Sequence, residues 1–421
     1  MSSVDIVGQD QPSPAPEDAR PAGLPGLYRR AMVNIRSGNL GILPIALGQI
    51  FIVVFFAYKA TNFFTAVNFS NVIIQMAGTT MLAFGVVFVL LLGEIDLSIS
   101  YVAGIGALTV AELQLPGSGH QLNGLIAMAI AVAVCAVIGL VQGVIVAFVG
   151  VPSFVVTLAG FMIWQGVILY RLEVPGSIII QDRWINYTAN YYFSHVAGWL
   201  IAAIITGMYS VGAISGILAK RRARLAIQNQ LATGAKVAAI AAASFGTVAI
   251  CNHAVVQGRP FGLPLSGVLI VIFLVVLTFL AKRTIFGRHV YAVGGNAEAA
   301  RRAGISVPRI RVLVFMISSA TAGIGGIILA ANVNSVQLTF GGGTLLLNSI
   351  AAAVIGGVSL FGGRGEVRAA FLGSLVIATV ANGLDTAGYS NGTIYIVTGL
   401  ILLFAVTLDT IARRLQVRSG R

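Results

Sequence analysis

Long apolar segments separated by short polar ones follow one another from about residue 42 to residue 411. A helix needs about twenty apolar residues to cross the hydrocarbon core of a bilayer. The pattern therefore predicts an all-α, polytopic membrane protein with about twelve spans, some of them short or broken. The predicted segments are 42–58, 71–92, 97–112, 124–149, 153–170, 197–219, 236–256, 263–281, 312–332, 345–360, 369–388 and 393–411.

Two of these segments, 97–112 and 345–360, are too short for a full crossing, and glycines interrupt both. Such segments are typical of half-helices or re-entrant elements. Outside the apolar region, residues 1–40 contain five prolines and few large apolar side chains. This composition predicts a disordered tail, because it cannot bury enough apolar surface to fold. Residues 412–421 form a second, short tail.

The basic residues are placed so that they select an orientation. If both termini lie on one side, 22 of the 26 Lys and Arg residues fall in loops on that side. Cytoplasmic loops carry the excess of Lys and Arg, so both termini are predicted to be cytoplasmic. The net charge of +13 then reflects topology. It does not indicate nucleic-acid binding, because the basic residues lack interleaved aromatics and a recognition motif.

The composition also excludes several classes of protein. Only 9% of the residues are charged, against about a quarter in soluble domains, and mean hydropathy is +0.93. Cys135 and Cys251 both lie in apolar segments, and neither a disulfide framework nor a metal-ligand spacing is visible. A P-loop, a nucleophile elbow and paired catalytic carboxylates are missing from the sequence. We expect no enzyme and no bound cofactor, so any ATP and Mg would be held by another subunit.

The polar segment 282–311 between two apolar spans has the punctuation of a short helix. In order, it offers an N-cap, an acidic first turn, a basic last turn and a left-handed stop: Asn296, Glu298, Arg301, Arg302 and Gly304. A helix of about eight residues is too short to be stable alone. The segment is therefore either a solvated loop on the positive side or an ordered element on which a partner docks.

Two junctions between apolar runs, at 93–100 and 356–365, combine glycines with charged residues on the predicted cytoplasmic side. The candidate inner-mouth residues are Glu94, Asp96, Arg364 and Glu366. Asp96 can simply be the N-cap of a helix that begins at Leu97. Alternatively, the two junctions order the inner mouth of a pathway, with an acid–arginine pair between them.

The thirteen acidic residues all fall outside the middle of the predicted spans. Proton-coupled carriers keep an ionisable group inside the membrane, so this placement argues against ion-driven transport. It does not argue against sodium-coupled transport, because a sodium site can be built from backbone carbonyls. Candidate pathway residues are instead neutral amides: Gln75, Gln142, Asn332, Asn334 and Asn348. They suit a neutral, hydroxyl-rich solute, or they serve as hydrogen bonds between helices.

Three motifs together resemble those of a known family. They are Gly-Glu-Ile-Asp-Leu-Ser at 93–98, the loop with Gly287-Arg288, Ala292-Val293-Gly294-Gly295-Asn296, Ala299-Ala300 and Gly304-Ile305, and Gly-Gly-Val-Ser-Leu-Phe-Gly-Gly-Arg-Gly at 356–365. Over about 42–411 the chain resembles the permease subunits of bacterial ATP-driven (ABC) monosaccharide importers of the ribose, xylose and arabinose type. These are related to branched-chain amino-acid permeases.

This resemblance implies a permease domain over 41–411 in the bacterial plasma membrane, with a second permease copy completing the pore and lipid around it. It also implies a cytosolic ABC ATPase subunit and an extracytoplasmic sugar-binding protein. The helix at 296–304 in the 282–311 loop would be the coupling helix. The implied ATPase-coupling residues are Gly287, Arg288, Gly294, Gly295, Asn296, Glu298, Arg301, Arg302 and Gly304.

The extra length over 172–260 is more similar to xylose-type members than to the shorter ribose-type ones. We therefore expect D-xylose as the substrate. Ribose, arabinose, galactose or another sugar is the alternative. Two other classes of protein stay open as well: a stand-alone secondary sugar carrier and a passive channel.

Overall fold

The computed structural model describes residues 43–117, 119, 121–223, 230–256 and 259–418. The predicted tail over 1–40 and the last three residues lie outside the described residues. The helices are α1 (Leu43–Lys59), α2 (Ala66–Leu91), α3 (Ile99–Leu113), α4 (Gly124–Val144), α5 (Ser153–Leu172), α6 (Arg183–Asn190), α7 (His195–Arg222), α8 (Gln230–Asn252), α9 (Leu265–Arg283), α10 (Ile285–Gly295), α11 (Ala297–Arg302), α12 (Val307–Val333), α13 (Gly343–Ile355), α14 (Val367–Thr386) and α15 (Asn391–Arg418). Helix α4 continues as a π-helical turn, Ile145–Val149.

The described strands are short and lie at the ends of helices. They are β1 (Ser177–Ile179), β2 (Val255–Val256), β3 (Arg259–Pro260) and β4 (Ser335–Gln337). Strand β1 pairs antiparallel with β4, with Ile178 opposite Val336, and β2 pairs antiparallel with β3. The first pair connects the segment after α5 to the end of α12.

Eight helices of the described chain are long and apolar enough to cross a membrane: α2, α4 with its π-turn, α5, α7, α8, α9, α12 and α14. Four shorter apolar helices, α1, α3, α13 and the first part of α15, complete the set. The all-α, polytopic prediction is confirmed. The two segments predicted to be short are indeed α3, with 15 residues, and α13, with 13. Helix α15 runs to Arg418, past the predicted boundary at 411.

The core is built around α2 and α12, which pack against each other and are mostly buried. Helix α12 also packs on α3 and α4, whereas α2 also packs on α13 and α14. Each central helix thus contacts the two helices that follow the other one. The end of α2 and the start of α12 both lie near the α10–α11 segment, so the two central helices run in opposite directions.

Small residues allow the central helices to approach closely. A Cβ atom added at Gly326 of α12 would overlap the backbone of Ala103 in α3, and one at Gly325 would lie 2.7 Å from the carbonyl oxygen of Gly78 in α2. Helices in a membrane associate through such close packing because lipid chains are as apolar as the helix surfaces. The glycines of α12 therefore set its distance from α2 and α3.

Helices α7 and α8, in the 172–260 region, form a peripheral hairpin. Few of their side chains are buried, and the Thr206 and Ser244 hydroxyl groups join them at 2.9 Å. Helix α8 contacts α2, and Ala202 of α7 is buried with Val248 and Cys251 of α8 in a small cluster that packs against α2. In the same region α6 packs on α12 and α9. The region thus attaches to the bundle through α6, α8 and the loops around them. Most of the apolar surface of the hairpin stays exposed at the periphery of the bundle.

We expect Gly326→Ala to lower the stability of the protein, because the new methyl group must displace the α3 backbone. Overpacking of this kind costs about 1–3 kcal/mol. The measurement is the midpoint of thermal unfolding in detergent, read by fluorescence-detected size exclusion. Gly207→Ala on α7 is the matched control, since a Cβ there meets nothing within 4 Å. Equal midpoints for the two variants would contradict the packing argument.

Candidate functional site

The segment between α9 and α12 folds into two consecutive helices, of which sequence reasoning identified only the second. Helix α10 begins after Thr284, whose hydroxyl oxygen accepts a hydrogen bond from the Gly287 amide at 3.1 Å. A Cβ atom at Gly287 would overlap the carbonyl oxygen of Ala281, so glycine permits this tight turn. Thr284 was the available signal, because threonine is a good N-cap residue.

Helix α11 confirms the predicted helix punctuation, although it has six residues rather than about eight. The Asn296 side chain accepts from the Ala299 amide at 2.9 Å, and Gly304 has the left-handed φ of +82°. Glu298 pairs with Arg301 at 2.6 Å and with Arg302 at 3.2 Å. Hydrogen bonds from these two arginines lower the pKa of Glu298. All three charged side chains are exposed, so α11 presents a charged surface to its surroundings.

The three motif segments meet at one point, which we call the glycine junction: Gly93, Gly294, Gly362 and Gly363. A Cβ atom at Gly294 would overlap the carbonyl oxygen of Leu91, the last residue of α2. The Gly363 amide donates to that same oxygen at 2.8 Å. A Cβ at Gly362 would lie 2.9 Å from the oxygen of Gly294 and 3.0 Å from the nitrogen of Gly93. The backbone of α10 therefore rests directly on the end of α2 and on the loop before α14.

Polar side chains hold the same elements together beside the junction. Glu366, just before α14, pairs with Lys282 at the end of α9 and with Arg368, whose Nε lies 2.8 Å from Oε2. The Tyr291 hydroxyl of α10 donates to the carbonyl oxygen of Gly365 at 2.8 Å. Partial burial acts to raise the pKa of Glu366, but the hydrogen bonds from Lys282 and Arg368 outweigh it and lower the pKa. Glu366 is thus an ionised link between α9 and α14.

The predicted acid–arginine pair between the two junctions is wrong. Glu94 pairs instead with Arg311 of α12, with Oε1 3.0 Å from Nε and outside hydrogen-bond geometry. Arg364 is exposed and has no ion pair among the described residues. The sequence could not select the partner, because several basic residues lie on the same face. The 93–100 junction is therefore tied to α12, and the 356–365 junction to α9.

Asp96 is not the N-cap of a helix at Leu97, because α3 begins at Ile99 after Ser98. It is 4% exposed, and its Oδ1 accepts from the Ser98 amide at 3.0 Å and from the Ser98 hydroxyl at 2.7 Å. Its Oδ2 accepts a long hydrogen bond, 3.4 Å, from Ser318 on α12. Asp96 therefore lies before α3 and outside the middle of a span, as predicted, but it is buried against α12.

Asp96 also lines a small cavity beside the glycine junction. The cavity has a volume of about 170 Å³ and is otherwise lined by apolar side chains: Val86, Val89, Leu90, Ile95, Ile350 and Leu360. It lies between α2, the 93–100 junction and α13. A carboxylate in such surroundings is stable only with hydrogen-bond partners, which explains its bonds to Ser98 and Ser318.

The five candidate pathway residues do not form one surface. Gln142 of α4 is buried and hydrogen-bonded to the Ser98 hydroxyl, whereas Gln75 of α2 is exposed and accepts from Asn382 at 3.3 Å. Asn334 ends α12 with a left-handed φ of +53°. Asn332 and Asn348 are half-buried. Helix-to-helix bonding thus explains Gln142, and Gln75 is the candidate that stays open to its surroundings.

Helices of spanning length, with an ordered two-helix element held at their ends, define a multi-pass membrane protein. The chain belongs to the family described as "branched-chain amino acid transport system / permease component", whose profile matches residues 68–406. In the part of the chain that the structure describes, no cluster of three or more His, Cys, Asp or Glu side chains suits a metal ion.

Three named relatives show which kind of permease this chain is similar to. The chain is 33% identical to the xylose transport system permease protein XylH of Haemophilus influenzae, over 90% of this chain and 98% of the relative. It is 32% identical to XylH of Escherichia coli, over 90% and 94%. It is 29% identical to the ribose import permease protein RbsC of Escherichia coli, over 83% and 87%. No solved structure matches the chain. These relatives confirm the resemblance to ABC monosaccharide permeases and the location in the plasma membrane.

Gly294→Ala should separate α10 from α2, because the new methyl group would occupy the position of the Leu91 carbonyl oxygen. We expect amides of residues 285–305 to lose protection from hydrogen exchange, with a local cost of about 1–3 kcal/mol. Gly295→Ala is the matched control, since a Cβ at the neighbouring position meets nothing within 4 Å. If both variants exchange like the unsubstituted protein, the glycine junction does not hold this segment.

The link through Glu366 should weaken in acid. Because its folded pKa is lowered below 4.5, its contribution to stability is fully present above that pH and is lost as pH falls through the folded pKa. Solvent screens this half-exposed group, so the effect is about 1 kcal/mol or less. The measurement is the thermal unfolding midpoint between pH 7 and pH 3, compared with Glu366→Gln. The two proteins should differ at pH 7 and converge at low pH; a constant difference would refute the assignment.

Proposed function

We propose that this chain is the membrane-spanning permease subunit of an ABC monosaccharide importer, with D-xylose or another pentose as its substrate. The observation that carries the proposal is the glycine junction, which connects an exposed charged helix outside the spans to the ends of α2 and α14. An ordered element in this position suits the docking of a partner whose movement displaces it. An ATPase subunit that binds ATP and Mg is a suitable partner.

The path of the mechanical signal follows the contacts. Helix α11 is too short to be stable alone, but the caps at Asn296 and Gly304 and its continuity with α10 hold it in place. A displacement of α11 would pass through α10 to Leu91 at the end of α2, because no side chain separates Gly294 from that backbone. Tyr291 and Glu366 would carry it to α14 in parallel. Packed elements transmit such shifts because they are nearly incompressible.

The two faces of the molecule suggest where the sugar-binding protein and the second permease copy would act. The excess of Lys and Arg in the loops near α11 supports a cytoplasmic location for that face. The opposite face would then receive the solute from an extracytoplasmic sugar-binding protein, and a second permease copy would complete the pore. The two xylose relatives support D-xylose over D-ribose, since they are the more identical and match more of this chain than the ribose relative does.

One observation favours a second candidate, an ion-coupled secondary carrier. Asp96 is an acidic group inside the helical bundle, which is where proton-coupled carriers keep one. Its hydrogen bonds to Ser98 and Ser318 also suit a purely structural role. The two candidates differ in their energy source, so one uptake experiment separates them.

The experiment is uptake of labelled pentoses and hexoses into proteoliposomes that contain this chain, its ATPase and its binding protein, with each component omitted in turn. Uptake that requires all three components and ATP supports the importer and identifies the sugar. Uptake by this chain alone, abolished by an ionophore, establishes the carrier instead. Uptake by this chain alone that ignores both ATP and ionophore establishes a channel.

The double variant Arg301→Glu, Arg302→Glu should reduce ATP-driven uptake at least about tenfold while membrane insertion stays normal. Each charge lost from a docking surface costs a few kcal/mol when it is buried on binding. Lys220→Glu with Arg221→Glu, at the end of α7, is a control with the same change in charge at an exposed site away from α11. Co-purification of the ATPase should fall only for the first variant. Normal uptake by that variant would refute the docking role.

A further inference from the structure

A second cavity lies near the other end of α2. From Leu91 at the glycine junction to Val67 the helix rises about 36 Å, at about 1.5 Å per residue. The cavity has a volume of about 270 Å³, and its lining residues are Val67, Ser70, Asn71, Tyr192, Ala254 and Phe261. Pockets for drug-sized ligands span about 300–1,000 Å³. This one therefore suits a smaller molecule.

The 172–260 region and the residue that follows it build one wall of this cavity. Tyr192 follows α6, and Ala254 and Phe261 flank the β2–β3 pair, where the Phe261 amide donates to the Ala254 oxygen at 2.8 Å. The rings of Tyr192 and Phe261 pack edge to face with centroids 4.2 Å apart. Backbone pairing between Tyr192 and Pro264 fixes the wall against the start of α9. The aromatic wall is therefore preformed.

The polar groups of the cavity are neutral and free to bind. Among the described residues, neither the Asn71 amide nor the Tyr192 hydroxyl has a hydrogen-bond partner. The Ser70 hydroxyl is already used, because it donates to the Ala66 oxygen at 3.2 Å and approaches Cys251. Burial raises the pKa of Tyr192, so its hydroxyl remains a neutral donor. The lining residues that the structure describes carry no charge.

The chemistry of the lining matches one kind of molecule. A sugar ring has apolar C–H faces, which pack against aromatic rings, and hydroxyl edges, which pair with amides and hydroxyls. The cavity presents one aromatic pair and two unpartnered polar groups. A lipid chain would use the rings but would cover Asn71 and Tyr192 without offering them hydrogen bonds, which is costly.

Polar side chains continue from the cavity along the first turns of α2. Asn71 and Gln75 lie one turn apart on the same face of α2, and they are the only exposed side chains of that helix between residues 70 and 91. Gln75 is bonded to Asn382 of α14, which in turn accepts from Asn68 at 2.8 Å. Exposed amides on a helix that is otherwise mostly buried indicate contact with water or solute.

We propose that this cavity is a weak monosaccharide-binding site in the outer mouth, built by the 172–260 region, where a sugar ring stacks on the Tyr192–Phe261 pair and hydrogen-bonds to Asn71. The proposal rests on the proposed function, because it takes this face as the side from which solute arrives. The site gives the permease its own contact with the sugar, in addition to the binding protein.

The test uses Val67→Cys in the full chain, reconstituted alone in proteoliposomes, because Val67 lines the cavity and this substitution keeps both Asn71 and Tyr192. A membrane-impermeant maleimide should label this cysteine, and D-xylose or D-ribose should slow the labelling with half-maximal effect at about 1–10 mM, as befits a weak site. Sucrose, which is too large, and the linear polyol mannitol should not protect. The unsubstituted chain gives the background, since Cys135 and Cys251 are buried.

A second substitution examines the hydrogen-bonding role. Tyr192→Phe in the Val67→Cys background keeps the ring and removes the hydroxyl, so the protecting concentration of sugar should rise about five- to tenfold. Tyr191→Phe is the matched control, because Tyr191 is exposed and does not line the cavity. A larger rise in the protecting concentration for Tyr192→Phe than for Tyr191→Phe supports the site. An equal rise for the two variants overturns it.

Three results of the labelling experiment would overturn the proposal. They are no protection by either pentose, equal protection by sucrose and mannitol, and labelling only by a membrane-permeant maleimide, which would show that the cavity opens to lipid. None of these outcomes affects ATP-driven uptake by the complete system. Conversely, protection by pentoses without any ATP-dependent uptake would retain the sugar site and refute the importer.

Discussion

Direct contact between backbones, without an intervening Cβ atom, is the constraint on which the rest of this structure depends. In a membrane the hydrophobic effect does not drive helices together, so close packing must do so. Gly326 brings α12 onto α3, and Gly294 brings α10 onto the end of α2. The first contact assembles the bundle, and the second attaches the two-helix element to it. A single methyl group at either position would separate these backbones.

Helix α2 connects the two ends of the molecule. Its last residue lies at the glycine junction, and its first turns line the cavity that we assign to a sugar. Between them it is buried against α12, α13 and α14, so a shift at one end reaches the other through a packed core. Asp96 and Gln142 hold the start of α3 beside it through Ser98. A coupled motion of both ends therefore needs no flexible hinge within α2.

Much of the fold was predictable because a membrane imposes simple rules on a sequence. Every buried peptide group needs an internal partner, so each apolar run becomes a helix of predictable length. The caps of α11 were predictable for a similar reason, since Asn296, Glu298 and Gly304 act on their own turn. Helix α10 was missed because its side chains are only moderately apolar and one glycine, Gly287, sits in its first turn. The α9–α10 turn also depends on a tertiary contact with Ala281.

The sequence by itself determined the all-α, multi-pass class of protein, the number of apolar helices, and which segments form the short helices α3 and α13. These properties arise from local composition and from neighbours within a few residues. Only the tertiary structure decided that Glu94 pairs with Arg311, that Asp96 is buried against α12, and that three distant motifs share one junction. Such contacts join residues hundreds of positions apart, and several basic or polar side chains could satisfy each group equally well. The choice among them is made by packing geometry, which no local pattern encodes.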